Sequence, residues 1–292
     1  MKIAVTAASG RLGSALLRRL STQIGTGQVV AVARDPSRVL VPGIEKRAGD
    51  YQSEDSMRAA LKGIDTAVMI SAPVAGGTER IPLHRNVINA ARHAGVRRLL
   101  FTSVIGNGRE MDTLFGSTQQ VNRQTEADLK ASGLEWLIGR NGLYLELDLV
   151  QMRKAGETGV YSNPAGEGRC PYLTIDEIAC AFANLAADPS QSGQTYNVSG
   201  ETLSQSELLH LACEVFDLHV RYEPMSDDDC IAKFRKLMPE RGEAVAHMLT
   251  GCFQSIRAGA FDVPSHFREA AGRPAKSVRE MMQDVAAVPR AV

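Results

Sequence analysis

The residues best placed to do chemistry in this 292-residue chain lie near its start, where Ala7-Ala8-Ser9-Gly10-Arg11-Leu12-Gly13 follows the apolar run Ile3-Ala4-Val5. Lacking a Cβ, Gly10 lets a pyrophosphate approach the backbone, and Gly13 lets the following helix pack closely on the strand. The first amides of a helix have no intrahelical acceptor and present the positive end of its dipole to an anion. The spacing assigns Ala8, Ser9, Gly10, Arg11, Leu12 and Gly13 to a dinucleotide diphosphate. Ala7 departs from the usual fingerprint, which has glycine at the tight turn. The competing reading is a small-residue turn that holds no ligand.

A second apolar run, 28–33, ends in Arg34-Asp35-Pro36, where the adenosine ribose would be read. An acid there suits the ribose hydroxyls, whereas a guanidinium matches a 2′-phosphate. Arg34 comes first, which favours NADP(H) over NAD(H); the alternative is a solvated Arg34 paired with Asp35. Three further strand ends carry small or polar residues that would let a flat cofactor lie against the backbone: Asp50 and Tyr51 near the adenine, then Ser71-Ala72-Pro73, then Thr102-Ser103. Each taken singly is equally compatible with ordinary loop chemistry.

These positions need a scaffold, and the first half of the chain supplies the pattern of one. Apolar runs at 2–6, 28–33, 66–70, 98–102 and 135–139, with a weaker one at 44–48, alternate with helical periodicity at 11–20, 53–61, 79–93 and 118–130. The alternation predicts an α/β fold: a Rossmann-type doubly wound parallel sheet with ligands at the C-terminal strand ends. Beyond Tyr144 the pattern changes. Residues 156–169 read as a loop or small hairpin, and 172–188 as a strand entering a helix with Asp176 at its N-cap. Short strands at 194–198 and 219–224 flank a helix at 206–216, with further helices at 227–237, 243–258 and 277–285. The expected organisation is a nucleotide-binding domain over 1–150 and a smaller, mostly helical C-terminal lobe over 151–292, with the chain crossing between them.

Composition narrows the function class. Lys+Arg and Asp+Glu both total 33, which gives no electrostatic footprint for nucleic acid or an acidic membrane. No apolar run reaches spanning length, and the chain opens on a strand without a signal-peptide pattern, so the cytoplasm is the expected compartment. The five cysteines are unpaired in spacing and the histidines scattered, so neither a disulfide framework nor a metal site is expected.

The turn at 7–13, Arg34-Asp35-Pro36, Gly49-Asp50, Phe101-Thr102-Ser103-Val104, Thr125-Glu126 and Arg140-Asn141-Gly142-Leu143-Tyr144 together resemble the NmrA-like branch of atypical short-chain dehydrogenases. Within the branch, the likeness is to NADPH-dependent quinone oxidoreductases and triphenylmethane dye reductases. It implies a nucleotide-binding core, a smaller lobe, and a substrate in the cleft between them. Ordinary short-chain dehydrogenases use a Tyr-x-x-x-Lys pair, the lysine lowering a phenol pKa from about 10. Here the residues four places after Tyr51, Tyr144, Tyr161, Tyr172, Tyr196 and Tyr222 are Asp55, Asp148, Ala165, Asp176, Gly200 and Ser226. Aligning Thr125-Glu126 with the family helix puts Thr118 at the tyrosine position and Asn122 at the lysine position.

The resemblance implies an NADPH-dependent reductase that passes hydride to an electron-poor conjugated acceptor, a quinone, dye or activated alkene, with any proton from water. Asn122 would hold the nicotinamide ribose. Asn141, Gly142 and Tyr144 would edge the nicotinamide and substrate space, and Ser103 would hydrogen-bond a substrate oxygen. The expected partner is a small aromatic or conjugated molecule, with a homodimer as the assembly considered. The alternative class is a non-enzymatic NADP(H) sensor, which needs no proton donor.

Overall fold

The structure is a computed structural model that describes residues 1–73 and 79–287. Its first half runs β1 (Ile3–Val5), α1 (Arg11–Ile24), β2 (Val29–Ala33), β3 (Glu45–Ala48), α2 (Glu54–Ala60), β4 (Thr66–Met69), α3 (Arg80–His93), β5 (Arg98–Val104), α4 (Gly116–Lys130) and β6 (Glu135–Asn141). The second half continues with β7 (Leu143–Tyr144), α5 (Leu145–Ala155), β8 (Val160–Asn163), β9 (Arg169–Leu173), α6 (Ile175–Ala187), β10 (Gln194–Val198) and β11 (Glu201–Ser204). It closes with α7 (Gln205–Phe216), β12 (Arg221–Pro224), α8 (Asp227–Leu237), α9 (Glu243–Arg257), α10 (Phe267–Ala271) and α11 (Val278–Ala287).

Strands such as β2, Val-Val-Ala-Val-Ala, are buried at every position, as a parallel sheet covered on both faces requires. Seven strands pair in parallel in the order β10-β6-β5-β4-β1-β2-β3. Alternation within the strands divides the core in two. Ile3, Val5, Ala31, Val68, Leu100 and Leu137 pack on one face with Leu16 and Leu17 of α1 and Phe182 of α6. Ala4, Val30, Val32, Met69, Leu99 and Phe101 pack on the other with Met57 of α2, Val87 and Ile88 of α3 and Leu129 of α4. The chain winds outward from β1 to β3, then restarts at β4 and winds the other way. A crevice therefore opens at the C-terminal ends of β1 and β4, the topological switch point. The Rossmann-type expectation is met.

The sheet draws its outermost strand, β10, and the helix packed on α1, α6, from beyond residue 150. Arg98, fully buried at the start of β5, donates to the carbonyls of Ala186 and Asp188 at the end of α6 and ties that helix to the sheet. The remaining strands form a small sheet, β11-β9-β7, and a pair, β12-β8.

Three local expectations need correction. The helix α5 was not expected: Leu145, Leu147 and Leu149 repeat at period two, as in a strand, and no side chain caps the helix start. Residues 160–163 are neither loop nor hairpin but a strand running parallel to β12, a partner some sixty residues away that local composition does not reveal. Finally, Thr174, not Asp176, is the N-cap of α6. Its hydroxyl accepts from the Glu177 amide, while Asp176 pairs with Arg19 of α1.

Candidate active site

The turn between β1 and α1 is built as the glycine spacing implies. Ala7 adopts a left-handed conformation at φ 48°, so the alanine at the tight turn accepts the backbone that a glycine would take without strain. A Cβ on Gly13 would stand 2.6 Å from the Ala7 carbonyl oxygen and 2.8 Å from the Ala8 Cα, inside any real contact. The helix and the strand end thus approach to a distance that only glycine allows. Gly10, the N-cap, offers no side chain to the helix start, and Ser9, Gly10 and Arg11 are exposed, whereas Ala8 and Leu12 are buried in the core. The first amides of α1 are left for a ligand.

At the end of β2, Arg34 is exposed and makes no ion pair among the described residues. Asp35 is not its partner. The Asp35 carboxylate instead accepts from the Ser37 amide at 3.0 Å and the Ser37 hydroxyl at 2.6 Å. Arg34 is therefore an uncommitted guanidinium on the rim. Beyond β3, Gly49 is pressed against Val32, where a Cβ would come within 2.5 Å of a methyl group. Asp50 accepts from the Gln52 amide, and the Tyr51 hydroxyl donates to the Ile70 carbonyl at 2.8 Å and touches the Thr6 hydroxyl. Burial pushes that phenol well above its ordinary range. Tyr51 thereby pins the strand ends of β1 and β4 together.

Beyond β4, the Ser71 amide donates to the Thr102 hydroxyl and the Ala72 amide to Nε2 of His84 at 2.9 Å, while Pro73 is exposed. His84 is fully buried. Its Nδ1 lies 2.8 Å from the Thr125 hydroxyl, which donates its own proton to the Val121 carbonyl, so Nδ1 carries the hydrogen and Nε2 accepts. Burial, and then the charge of Arg80, push the imidazole pKa down to about 3. His84 is a neutral structural clamp between α3, α4 and the strand end.

Arg80, the first residue of α3, is 5% exposed. One of its amino groups donates to the Ser71 hydroxyl and, at 3.3 Å, to the Asn122 side-chain oxygen, and its other two nitrogens have no partner among the described residues. Burial pushes its pKa down to about 10, which leaves it charged at neutrality. Asn122 in turn donates to Gln119 at 3.2 Å and is almost wholly buried. Thr118 lies one turn earlier on the same helix, 9% exposed.

Ser103 donates its hydroxyl to Glu126 at 2.6 Å and is 1% exposed. Glu126 also receives Arg123 at 2.7 Å and both donors of Arg140 at 2.9 and 2.5 Å. Burial works to raise that carboxyl, but the Arg140 hydrogen bonds and the Arg123 charge outweigh it and hold the pKa below the ordinary value. Ser103 thus belongs to a buried ion cluster under the floor of the crevice.

At the C-terminal ends of β6 and β10, Asn141 donates from Nδ2 to the Tyr144 hydroxyl at 3.2 Å, and its Oδ1 is buried with no partner among the described residues. The Ser199 hydroxyl beside it is buried and unpartnered too. A buried acceptor without a donor is costly unless a ligand or water supplies one. Gly142 donates to the Val198 carbonyl, with Pro171 and Ser199 packed so close that a Cβ would crowd them. Burial raises the Tyr144 phenol above its usual value.

An uncapped helix start, a free guanidinium at the end of β2 and an orphaned acceptor at the end of β6 fit a dinucleotide laid across the strand ends. A family model described as NAD(P)H-binding matches residues 7–158. The chain belongs to the NAD(P)H-binding family. Quinone oxidoreductase 2 of Escherichia coli K12 is 30% identical over 286 residues, covering 95% of this chain and 96% of that protein. A solved NADPH-dependent quinone oxidoreductase from E. coli in complex with NADPH superposes with a TM-score of 0.87 at 28% identity, covering 97% and 99% of the two chains. The triphenylmethane reductase of Citrobacter sp. complexed with NADP(H) gives 0.86 at 25% identity, covering 98% and 100%. These are the kinds of relatives that the sequence motifs resemble. No helix among the described residues is long and apolar enough to cross a membrane.

Sequence reasoning missed Arg80, His84 and the Glu126 cluster. An arginine in the first turn of an amphipathic helix looks solvated, whereas this one is buried and reaches both Ser71 beyond β4 and Asn122 of α4. The one available signal for Glu126 was three residues of opposite charge, Arg123, Glu126 and Arg140, the first two at helical spacing.

Proposed function

We propose that this NAD(P)H-binding chain is an NADPH-dependent reductase for electron-poor, conjugated acceptors, with quinones as the leading class. The observation that carries this reading is that none of the three ionisable side chains described at the strand ends, His84, Tyr144 and Glu126, is poised to deliver a proton. His84 is locked neutral, the Tyr144 phenol is raised, and Glu126 is held as a carboxylate by two arginines. Such a floor suits an acceptor that takes up an electron pair without general-acid help, where catalysis is chiefly orientation of two flat reactants.

Bound NADPH supplies the hydride. The amides of Ser9, Arg11 and Leu12, with Gly10, hold the diphosphate, and Arg34 takes the 2′-phosphate. Asp50, Tyr51, Ser71, Ala72 and Pro73 line the adenine and ribose track. Asn122 holds the nicotinamide ribose, and the orphaned Asn141 oxygen accepts from the carboxamide. Gly142 and Tyr144 edge the acceptor space, and Ser103 supports that space from beneath through Glu126. Residues 1–150 form most of the nucleotide side, and 151–292 return β10 and α6 to the sheet before covering the acceptor.

The test is steady-state consumption of NADPH with a panel of quinones, azo and triphenylmethane dyes and activated alkenes. Turnover on at least one neutral quinone is expected. Tight binding of NADPH with no turnover on any acceptor would move the protein to the sensor class.

A further inference from the structure

The lysine of a Tyr-x-x-x-Lys pair brings a fixed positive charge to the nicotinamide ribose, and Asn122, which stands at that position, brings none. The structure places a charge there by another route. Arg80 reaches from α3 to the Asn122 oxygen and the Ser71 hydroxyl, 5% exposed, with two guanidinium nitrogens unpartnered. Among the described residues no carboxylate is paired with it: Glu126 is taken by Arg123 and Arg140, Glu110 by Gln119, Arg123 and the Gly108 amide. A buried cation without a counter-ion is expensive to keep, and it acts strongly on any charge that changes nearby because water does not screen it.

We infer that Arg80 is the electrostatic element of this site, a buried, uncompensated guanidinium that favours the reduced cofactor over the cationic oxidised form and selects acceptors that become anionic. This rests on the reductase reading for its second half. A neutral quinone that accepts hydride becomes a hydroquinone monoanion while NADPH is oxidised to NADP⁺, and water supplies the remaining proton. Beside the nicotinamide the guanidinium opposes the cation that forms there, and an acceptor that becomes anionic offsets that cost by gaining the attraction of the same charge. An acceptor that begins as a cation, such as a triphenylmethane dye, is instead repelled on arrival, and the hydride step only relieves that repulsion, so relative to the free dye no attraction is gained. Arg80 thereby tilts the site toward quinones and promotes loss of the oxidised cofactor after turnover.

The experiment is calorimetric titration with NADPH and with NADP⁺ of the wild type, Arg80→Gln, Arg80→Lys and Arg85→Gln. Arg85, on the same helix, is half exposed and already paired with Asp128. The wild type is expected to bind NADPH more tightly than NADP⁺, and Arg80→Gln to narrow that ratio by about tenfold, the effect of one unit charge at moderate distance and an effective dielectric of about 20. Arg80→Lys should retain most of the preference and Arg85→Gln all of it. A folded Arg80→Gln with an unchanged ratio overturns the inference, and so does a wild type with equal affinity for both forms, a measurement that does not depend on any variant folding. In parallel, Arg80→Gln should lose kcat/KM on a neutral benzoquinone relative to a cationic triphenylmethane dye, and an unchanged ratio of the two counts against the selection. If the wild type consumes no NADPH with any acceptor, the reductase reading fails, while the binding ratio still decides the role of Arg80.

Discussion

Gly13 stands against the carbonyl of Ala7 so closely that a single added carbon would lie 2.6 Å from that oxygen. The two residues hold each other: Ala7 accepts a left-handed backbone at φ 48°, and the close approach of α1 that this turn creates leaves room only for hydrogen at position 13. Replacing Gly13 with Ala should therefore open the turn, weakening NADPH binding at least tenfold. Replacing Ala7 with Gly should do the opposite at the turn, relieving a conformation that costs an L-residue roughly 1–2 kcal/mol, offset by roughly 0.5–1 kcal/mol of lost chain stiffness. A modest rise in melting temperature with unchanged NADPH affinity is expected. A clear fall in melting temperature for Ala7→Gly would refute the strain argument.

Arg34 is uncommitted because Asp35 is turned toward Ser37. Its substitution by Ala should leave NADH affinity near the wild-type value and weaken NADPH by about tenfold, the loss of one charge-assisted pair to a phosphate. Titrations with both cofactors give the ratio directly, and an unchanged ratio would assign 2′-phosphate recognition elsewhere.

Under the second lobe, Asp148 is buried beside the Tyr161 hydroxyl at 3.0 Å, and burial pushes its carboxyl pKa up to about 6. A carboxyl raised in the folded state adds stability that is complete below its unfolded value, about 4, and is lost as pH rises through its folded value. Asp148→Asn should thus match or trail the wild type at pH 4 and gain on it progressively between pH 4 and 7, by up to a few degrees in melting temperature. A melting difference independent of pH over that range would show that Asp148 does not titrate there.

The legible part of this protein was the part written in periodicity and small residues. The β1 turn, the parallel sheet and the strand-end positions followed from apolar runs alternating with helical spacing, because most runs are followed by a helix that packs on the sheet. The parts that stayed hidden depend on distant partners. β8 needs β12, and α5 carries a period-two leucine pattern that only its packing overrules. Arg80 is buried against distant residues, Ser71 and Asn122, contacts that its own segment does not signal. Asn122 was read as lacking charge, which is true of the residue and untrue of its surroundings.

The most direct test of the account is a single turnover: protein preloaded with equimolar NADPH, mixed with a neutral quinone, and followed at the nicotinamide absorbance. The account expects that absorbance to vanish in one exponential phase, faster than in a protein-free control. Decay no faster than that control, with NADPH demonstrably bound, would contradict it.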